Sequence, residues 1–285
     1  MAIADAKQTI WHKAYEHALK NITSLRNHCD FKYEVDSKNA DKINILFAAK
    51  PTIRTYVPGT SMTRDAVDAT KLQLTIDQFK YFNIGIDDVI KAQTVPGALE
   101  AFAEEGAQAL SEEGDKYVAG LIKSAADAAG TKVTVVSGGA ISKANVIEKA
   151  EDALAGLYKN NVKVSETLWF EVCPGFYKYL RQNITELLTN NVEMAKKGIV
   201  GRYNNCNVTI ENLLPTSTTG EGAQAVTTTY NVIRSNHAVA FVEQIRKTEA
   251  YRPEDTFEDA LKSLYAYGGL VVRPEEMAVI TQTNA

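Results

Sequence analysis

The sequence contains few of the residues and motifs on which most catalytic and metal sites depend. Only four histidines and three cysteines occur in 285 residues, and no H-E-x-x-H or C-x-x-C pattern brings them together. The Walker pattern, the dinucleotide pattern G-x-G-x-x-G and the nucleophile pattern G-x-S-x-G are also missing. The sequence therefore predicts no catalytic, cofactor or metal site, which favours a structural or binding protein over an enzyme.

Long apolar runs and blocks of positive charge are missing as well. No stretch reaches the roughly 18 apolar residues of a membrane span, and the polar N-terminus lacks the apolar core of a secretory signal. The formal net charge is −4, without any Lys/Arg block, so the chain lacks the charge pattern of proteins that bind nucleic-acid phosphates. Enclosing nucleic acid without binding it stays possible. Three widely spaced cysteines fit reduced thiols in a cytosol-like compartment.

Two weak site signals remain. Ser137-Gly138-Gly139 lies between a predicted strand and a predicted helix and is the best phosphate-loop candidate, although a turn without a ligand explains it better. Asn207-Val208-Thr209 matches the glycosylation sequon, but the chain contains two other matches and lacks a secretory signal. We therefore interpret the sequon as a chance match.

The composition, with 45% hydrophobic and 23% charged residues, is that of a globular protein. Two long amphipathic helices are predicted. The first spans residues 3–26, and its apolar stripe includes Trp11 and Tyr15, which pack on their own domain or on a neighbouring subunit. The second spans residues 96–129 and would be about 50 Å long, with interruptions possible at its internal glycines.

Between these helices, the hydrophobic pattern changes to a period of two, which predicts a hairpin. Pro58-Gly59 marks a turn, and a polar stretch follows it. The arms carry as many charged as apolar residues, so the hairpin lacks a core and is expected to lie on another surface, such as a second subunit. The predicted strands are 43–47, 52–57, 72–76 and 79–86.

The rest of the chain mixes helices and strands, which predicts an α+β or α/β fold. Residues 217–222 read as an exposed flexible loop. The predicted strands are 133–136, 168–172, 208–213 and, as the last strand, 270–272; the predicted helices are 142–158, 176–187 and 256–265.

Several segments, in order from about residue 40 to 280, resemble the major capsid proteins of tailed bacteriophages, which have the Hong Kong 97-type fold. Besides the long helix, they are LTIDQFKYFNIGIDDVIKAQ (Leu74–Gln93), LWFEVCPGFYKYLRQN (Leu168–Asn183), KGIVGRYNNCNVTIENLLP (Lys197–Pro215) and the segment from SNHAVAFVEQ to RPEEMAVI (Ser235–Ile280). The order and spacing of these segments carry the resemblance.

The resemblance implies an α+β, Hong Kong 97-like capsid fold in five parts. The helix 96–129 would be the spine of the peripheral domain. The parts would be an N-terminal arm (1–40), an extended hairpin loop region (41–78), a peripheral domain with the spine helix (79–130), an axial domain (131–235) and a C-terminal segment that completes the peripheral domain (236–285).

The function that the resemblance implies is structural. The protein would self-assemble as pentamers and hexamers into an icosahedral shell that encloses double-stranded DNA without sequence-specific binding, with no cofactor. It would be located in the virion and would assemble in the bacterial host cytoplasm. Because only about 40 residues precede the first strand, a separate scaffolding protein is expected. A portal and a decoration protein are further candidate partners.

The resemblance and the hairpin pattern together suggest the residues that contact neighbouring subunits. They are Trp11, Tyr15, Arg54, Tyr56, Pro58, Gly59, Arg64 and Asp65. Lys50 and Lys71 flank the loop, but no acceptor asparagine can be assigned, so no covalent cross-link is expected. Two alternatives stay open at this point: an encapsulin-like compartment that holds cargo enzymes, and a soluble enzyme of an unrecognised class.

Overall fold

The structure, a computed structural model, describes most of the chain. The described residues are 25–34, 41–48, 51–62, 64, 69–88, 98–163, 166–183, 199–220 and 225–284. Within them the strands are β1 (Lys42–Ala48), β2 (Ala69–Asp87), β3 (Thr134–Gly139), β4 (Leu168–Val172), β5 (Ile199–Tyr203), β6 (Cys206–Ile210), β7 (Thr216–Thr219), β8 (Val226–Ser235), β9 (Val239–Tyr251), β10 (Glu258–Val271) and β11 (Met277–Asn284). The α-helices are α1 (Ala98–Asp127), α2 (Val146–Lys159) and α3 (Pro174–Asn183).

The first sheet has four strands in the order β1-β2-β10-β9, and all neighbours are antiparallel. Strand β2 joins two parts of this sheet, because its first residues pair with β1 and the rest pair with β10. At about 3.3 Å per residue, its 19 residues extend over about 60 Å. The predicted hairpin stem is confirmed, and the predicted strands 72–76 and 79–86 form one continuous strand.

Helix α1 confirms the predicted long helix. Its 30 residues give a length of about 45 Å, without the interruptions considered at Gly114 and Gly120. Gly130, with a φ of +72°, lies in the turn that follows the helix, in which the N–H of Thr131 donates to the Ala128 carbonyl; it is not the predicted C-terminal cap, because the helix already ends at Asp127. The buried side chains of Val118 and Ile122 join a hydrophobic cluster with residues from both sheets, so α1 lies between the sheets.

The second sheet has seven strands. Six follow the order β3-β11-β8-β4-β6-β5, and β7 pairs with β8 outside this path. The pairs β3–β11 and β4–β6 are parallel, and the others are antiparallel. Helices α2 and α3 pack on this sheet through buried Leu154, Leu157, Phe176 and Leu180 around Phe170. The segment 236–285 contributes to both sheets, because β9 and β10 belong to the first sheet and β11 lies between β3 and β8 in the second.

Two predictions about the C-terminal region are wrong. Residues 256–265 do not form a helix, since β10 begins at Glu258 and pairs with β2 and β9. The spacing of Leu261, Leu264 and Tyr265 suits a helix, but pairing on both sides of the strand overrides this local preference. Residues 270–272 are not the last strand either, because β11 follows them.

Three further local predictions need correction. Residues 52–57 form no strand, since no partner strand lies beside them and all of them are exposed. Residues 217–219 belong to β7 and not to a loop, because Thr216–Thr219 pairs with β8. Residues 137–139 continue β3 instead of forming a turn. The predicted helix 3–26 lies outside the described residues, apart from Leu25 and Arg26.

Candidate functional site

The segment between β1 and β2 forms an exposed hairpin tip, defined here as residues 51–62 and 64. Pro58 and Gly59 occupy the centre of a tight turn, in which the N–H of Thr60 donates to the Val57 carbonyl at 3.1 Å. Gly59 has a φ of +86°, the left-handed conformation that a type II turn requires at this position. The predicted turn is therefore confirmed, and its conformation explains why glycine is found there.

The hairpin tip exposes large apolar side chains to solvent. Ile53 is 85% exposed, Met62 is 79% exposed and Tyr56 is 61% exposed. No residue of the described part of the chain covers these side chains. Single exposed apolar residues are common on protein surfaces, but several within one projecting segment indicate a surface that contacts another molecule.

The predicted interface residues are placed in part. Arg54, Tyr56, Pro58, Gly59 and Arg64 all lie on the hairpin tip and are exposed. Their role in subunit contacts stays a prediction. Trp11, Tyr15 and Asp65 were predicted with them and lie outside the described residues.

A second exposed apolar surface was missed by the sequence analysis. Phe79 is 62% exposed, Tyr81 is 76% exposed and Leu264 is 40% exposed. Tyr81 and Leu264 are direct partners across β2 and β10, so the three side chains lie together on one face of the sheet. Phe82 points to the opposite face, where its ring lies against Gly106 of α1. The alternation of side chains along β2 could be recognised in the sequence, but the sequence does not indicate which face of the strand α1 covers.

A buried ion cluster lies at the arm root, which we define as residues Leu25–Asp30. Arg234 and Glu171 are both completely buried. Arg234 donates from Nε to Glu171 Oε2 at 3.0 Å and from Nη2 to Oε1 at 2.7 Å. A hydrogen bond of 2.9 Å joins Glu171 Oε1 to His28 Nδ1, and the His28 ring stacks on Trp169 at 3.7 Å. The arm root is thus attached to β4 and β8 by charged hydrogen bonds.

The same cluster connects the arm root to α1 and β10. Arg234 Nη2 donates to the Leu25 carbonyl at 2.6 Å, and the backbone N–H of Arg26 donates to Asp115 Oδ1 at 2.9 Å. The Arg26 guanidinium donates to the Tyr265 hydroxyl at 2.9 Å and lies 3.3 Å from Glu243. The arm root, α1 and both sheets therefore meet at these six residues.

Burial and charge shift the pKa values of this cluster in opposite directions. Burial alone would raise the pKa of Glu171, but Arg234 and His28 hold it below its ordinary value. Burial raises the pKa of Asp115 to about 6, against the opposing effect of Arg26. Burial, helped by the carboxylates of Glu171 and Asp115, raises the pKa of Glu211 to about 9. Of these three carboxyls, Glu171 has cationic partners close by and is the one whose pKa is lowered.

The two weak site signals of the sequence, a phosphate loop and a glycosylation sequon, do not correspond to sites in the structure. Gly138 lies within β3, and a Cβ there would approach the Thr281 carbonyl oxygen to 2.6 Å, so this segment is packed against β11. Asn207 lies within β6 and is 9% exposed, which leaves no room for a glycan. In the described ranges, no group of three His, Cys, Asp or Glu side chains could hold a metal ion, and no helix is long and apolar enough to cross a membrane.

Comparison with known proteins assigns the family. The family model described as phage capsid protein matches residues 69–280, about three quarters of the chain. The chain belongs to this family. The match begins at β2 and ends in β11, so it includes α1 and strands of both sheets, but not β1. This phage capsid protein is a structural component of the virion and not an enzyme.

Solved structures agree with this assignment. A chain from Mycobacterium phage Che8 is 25% identical with a TM-score of 0.79, and the match covers 98% of both chains. A chain from the capsid structure of the cyanophage P-SCSP1u is 17% identical with a TM-score of 0.75, covering 100% of this chain and 95% of that one. A chain from the bacteriophage PhiM1 mature capsid is 17% identical with a TM-score of 0.73, covering 98% and 93%. The comparison with curated proteins finds no match.

Proposed function

We propose that this protein is the major capsid subunit of a tailed bacteriophage with a Hong Kong 97-type fold. Many copies form pentamers and hexamers, which close into an icosahedral shell around double-stranded DNA. The five parts of the subunit follow the boundaries proposed from the sequence, with residues 1–40 as the arm and 131–235 as the axial domain. Assembly takes place in the host cytoplasm, with a separate scaffolding protein and a portal as partners.

The exposed hairpin tip is the observation that carries this proposal. Its stem is held by seven paired positions of β1 and β2, while its apolar side chains are left exposed by the residues that the structure describes. A stable monomer gains nothing from such a tip, whereas a neighbouring copy that buries Ile53, Tyr56 and Met62 gains about 25 cal/mol for each Å² removed from water. The contact is thus formed by assembly and not by folding.

The sheet face with Phe79, Tyr81 and Leu264 provides a second contact surface. It is rigid, because its strands are paired and α1 covers the opposite face. A flat apolar face and a projecting tip on the same subunit suit heterologous contacts, which continue from copy to copy until they close. Weak contacts of this kind, repeated many times, give a stable particle.

Particle size tests the proposal directly. The full chain is expressed alone and with its candidate scaffolding protein, and the products are separated by gel filtration and examined by negative-stain microscopy. We expect rings of five and six subunits or closed shells. A protein that stays monomeric under both conditions, up to high concentration, would contradict the proposal.

A further inference from the structure

The buried polar atoms without a hydrogen-bond partner are concentrated at one place. Among the described residues they are Asp115 Oδ2, Trp169 Nε1, Thr209 Oγ1 and both carboxyl oxygens of Glu211. Each belongs to the surroundings of the arm root. Asp115 binds the Arg26 backbone, Trp169 stacks on His28, Thr209 is the register partner of Glu171, and Glu211 is coupled electrostatically to Glu171 and Asp115.

The unpaired polar atoms around the arm root have an energetic cost. A buried polar atom without a partner costs about 1–3 kcal/mol, and native proteins contain few of them. Elsewhere in the described part of the molecule the buried side-chain polar atoms are paired. These unpartnered atoms therefore make the docked position of the arm root less favourable than its dense packing suggests, and a position that hydrates Asp115 and Glu211 would remove this cost.

The charges around Asp115 and Glu211 determine whether docking of the arm root is favourable. The ionisable groups around Asp115 and Glu211 are Arg26, Arg234, Glu171, Glu243, His28, Cys29 and Tyr265. With Asp115 and Glu211 protonated, the two arginines balance the two carboxylates of Glu171 and Glu243. Ionisation of Asp115 and Glu211 places four carboxylates against two arginines in a buried space. Excess like charge without solvent is strongly unfavourable.

We propose that the arm-root junction, where residues Leu25–Asp30 lie on α1 and the seven-stranded sheet, is a proton-operated latch. Protonated Glu211, helped at acid pH by protonated Asp115, keeps these residues docked, and loss of the Glu211 proton to solvent releases them. The latch lies at the point where residues 1–24 join the described fold. It acts within one subunit and goes beyond the proposed assembly function.

The raised pKa values of Glu211 and Asp115 determine how docking of the arm root depends on pH. The pKa of Glu211 is raised by burial to about 9, above its ordinary 4.5, so the docked form holds a proton that the released form gives up. Docking is therefore strongest below pH 4.5 and weakens as the pH rises toward 9. Asp115 adds a smaller effect between 3.8 and about 6. Within these windows, one linked proton changes the release equilibrium by up to about tenfold per pH unit.

Two probes at the junction report release. The chain contains two tryptophans, so the Trp11→Phe variant leaves Trp169 as the only one, and release separates it from the His28 ring. Cys29 is buried against Leu25 and Arg234, and its modification by a thiol reagent, resolved by mass spectrometry, requires that the arm root leave. Rates are divided by those of a peptide of residues 25–34, which corrects for thiolate formation.

The experiment compares the unassembled full chain with Glu211→Gln, which is equal in size and cannot ionise. Between pH 7 and 8 we expect the corrected Cys29 rate to rise about tenfold in the parent and less than twofold in the variant. The Trp169 emission of the parent should shift in the same range, whereas E211Q should stay unchanged. Glu211→Met is the second neutral variant and serves if E211Q does not fold.

Two outcomes would overturn the latch. Equal pH profiles of Cys29 modification in the parent and E211Q would show that Glu211 does not control release. A Trp169 spectrum that is constant from pH 7 to 9.5 would show that the arm root does not move. Neither outcome bears on shell formation, because both readouts are taken on unassembled subunits, so the latch and the capsid proposal fail independently.

Discussion

The hairpin tip and the arm-root junction distribute polarity in opposite ways. At the tip, apolar side chains are in water, with Ile53 85% exposed; at the junction, Arg234 and Glu171 are charged and completely buried. Each arrangement is unfavourable for an isolated folded chain. In the proposed assembly the tip lowers its free energy by contact with another subunit, whereas the junction is stabilised by pairing within the chain. Mutations at the two places should therefore change different observables.

The largest effect on monomer stability is expected from breaking the buried pair. Arg234→Met removes both hydrogen bonds to Glu171 and leaves that carboxylate buried with His28 as its remaining close partner. Removing one partner of a buried ion pair typically costs about 3–5 kcal/mol of unfolding free energy, which urea titration at pH 7 measures.

A double variant tests whether the loss of stability in R234M comes from the unpaired charge of Glu171. Replacing both partners with apolar residues, in R234M/E171L, removes the uncompensated charge and should recover most of the lost stability. If R234M unfolds within 1 kcal/mol of the parent, the pair contributes little, and the contrast between junction and tip does not hold.

The next effect is a pH dependence carried by Glu211. Because burial raises its pKa to about 9 in the folded chain, the folded state holds one proton more than the unfolded state between pH 6 and 8. Stability should fall by about 2–3 kcal/mol over these two units. Glu211→Gln should remove this slope, and the difference between the two proteins in urea titrations isolates it from other titrating groups. Parallel curves for the two proteins would refute the prediction.

A smaller effect is expected where β2 leaves the hairpin stem and joins the main sheet. Gly268 pairs with Ile76 next to a register shift, and a Cβ there would lie 2.3 Å from the Thr75 carbonyl oxygen. Gly268→Ala must displace backbone, so we expect a loss of about 1–3 kcal/mol in thermal unfolding.

Gly120→Ala is the matched control for that substitution. Gly120 lies within α1, is exposed, and has open space where the Cβ would be. Alanine there should stabilise the helix by about 0.5–1 kcal/mol. Destabilisation by both substitutions would show that loss of glycine, and not the close approach of β2, is responsible.

Local patterns in the sequence predicted the elements whose signals are themselves local. Helix α1, the stem strands and the Pro58-Gly59 turn each depend on periodicity or turn chemistry within a few residues. The first part of β10, within residues 256–265, was predicted as a helix, because only its pairing with β2 and β9 distinguishes a strand from a helix there. Sequence patterns do indicate strands, but they do not reveal which distant strand will pair.

The buried ion cluster could not be predicted from local sequence patterns for a similar reason. Glu171 and Arg234 are 63 residues apart and meet only because β4 pairs with β8. A signal did exist, since Glu171 lies between the apolar residues Phe170 and Val172, and a charge inside an apolar strand predicts a buried partner. The identity of that partner follows from topology, which the sequence pattern does not supply.

The smallest effect on the monomer, and the largest on assembly, is expected at the hairpin tip. The triple variant I53S/Y56S/M62S removes apolar area that is already in water, so thermal unfolding of the monomer should change by no more than about 0.5 kcal/mol. The particles seen by gel filtration and microscopy should be lost, because the contact that buries these side chains disappears. The conservative triple variant I53V/Y56F/M62L keeps the apolar surface and should assemble as the parent does. If the serine variant still forms particles, the tip does not carry the subunit contact; if it unfolds, the tip belongs to the monomer core and its exposure has another meaning.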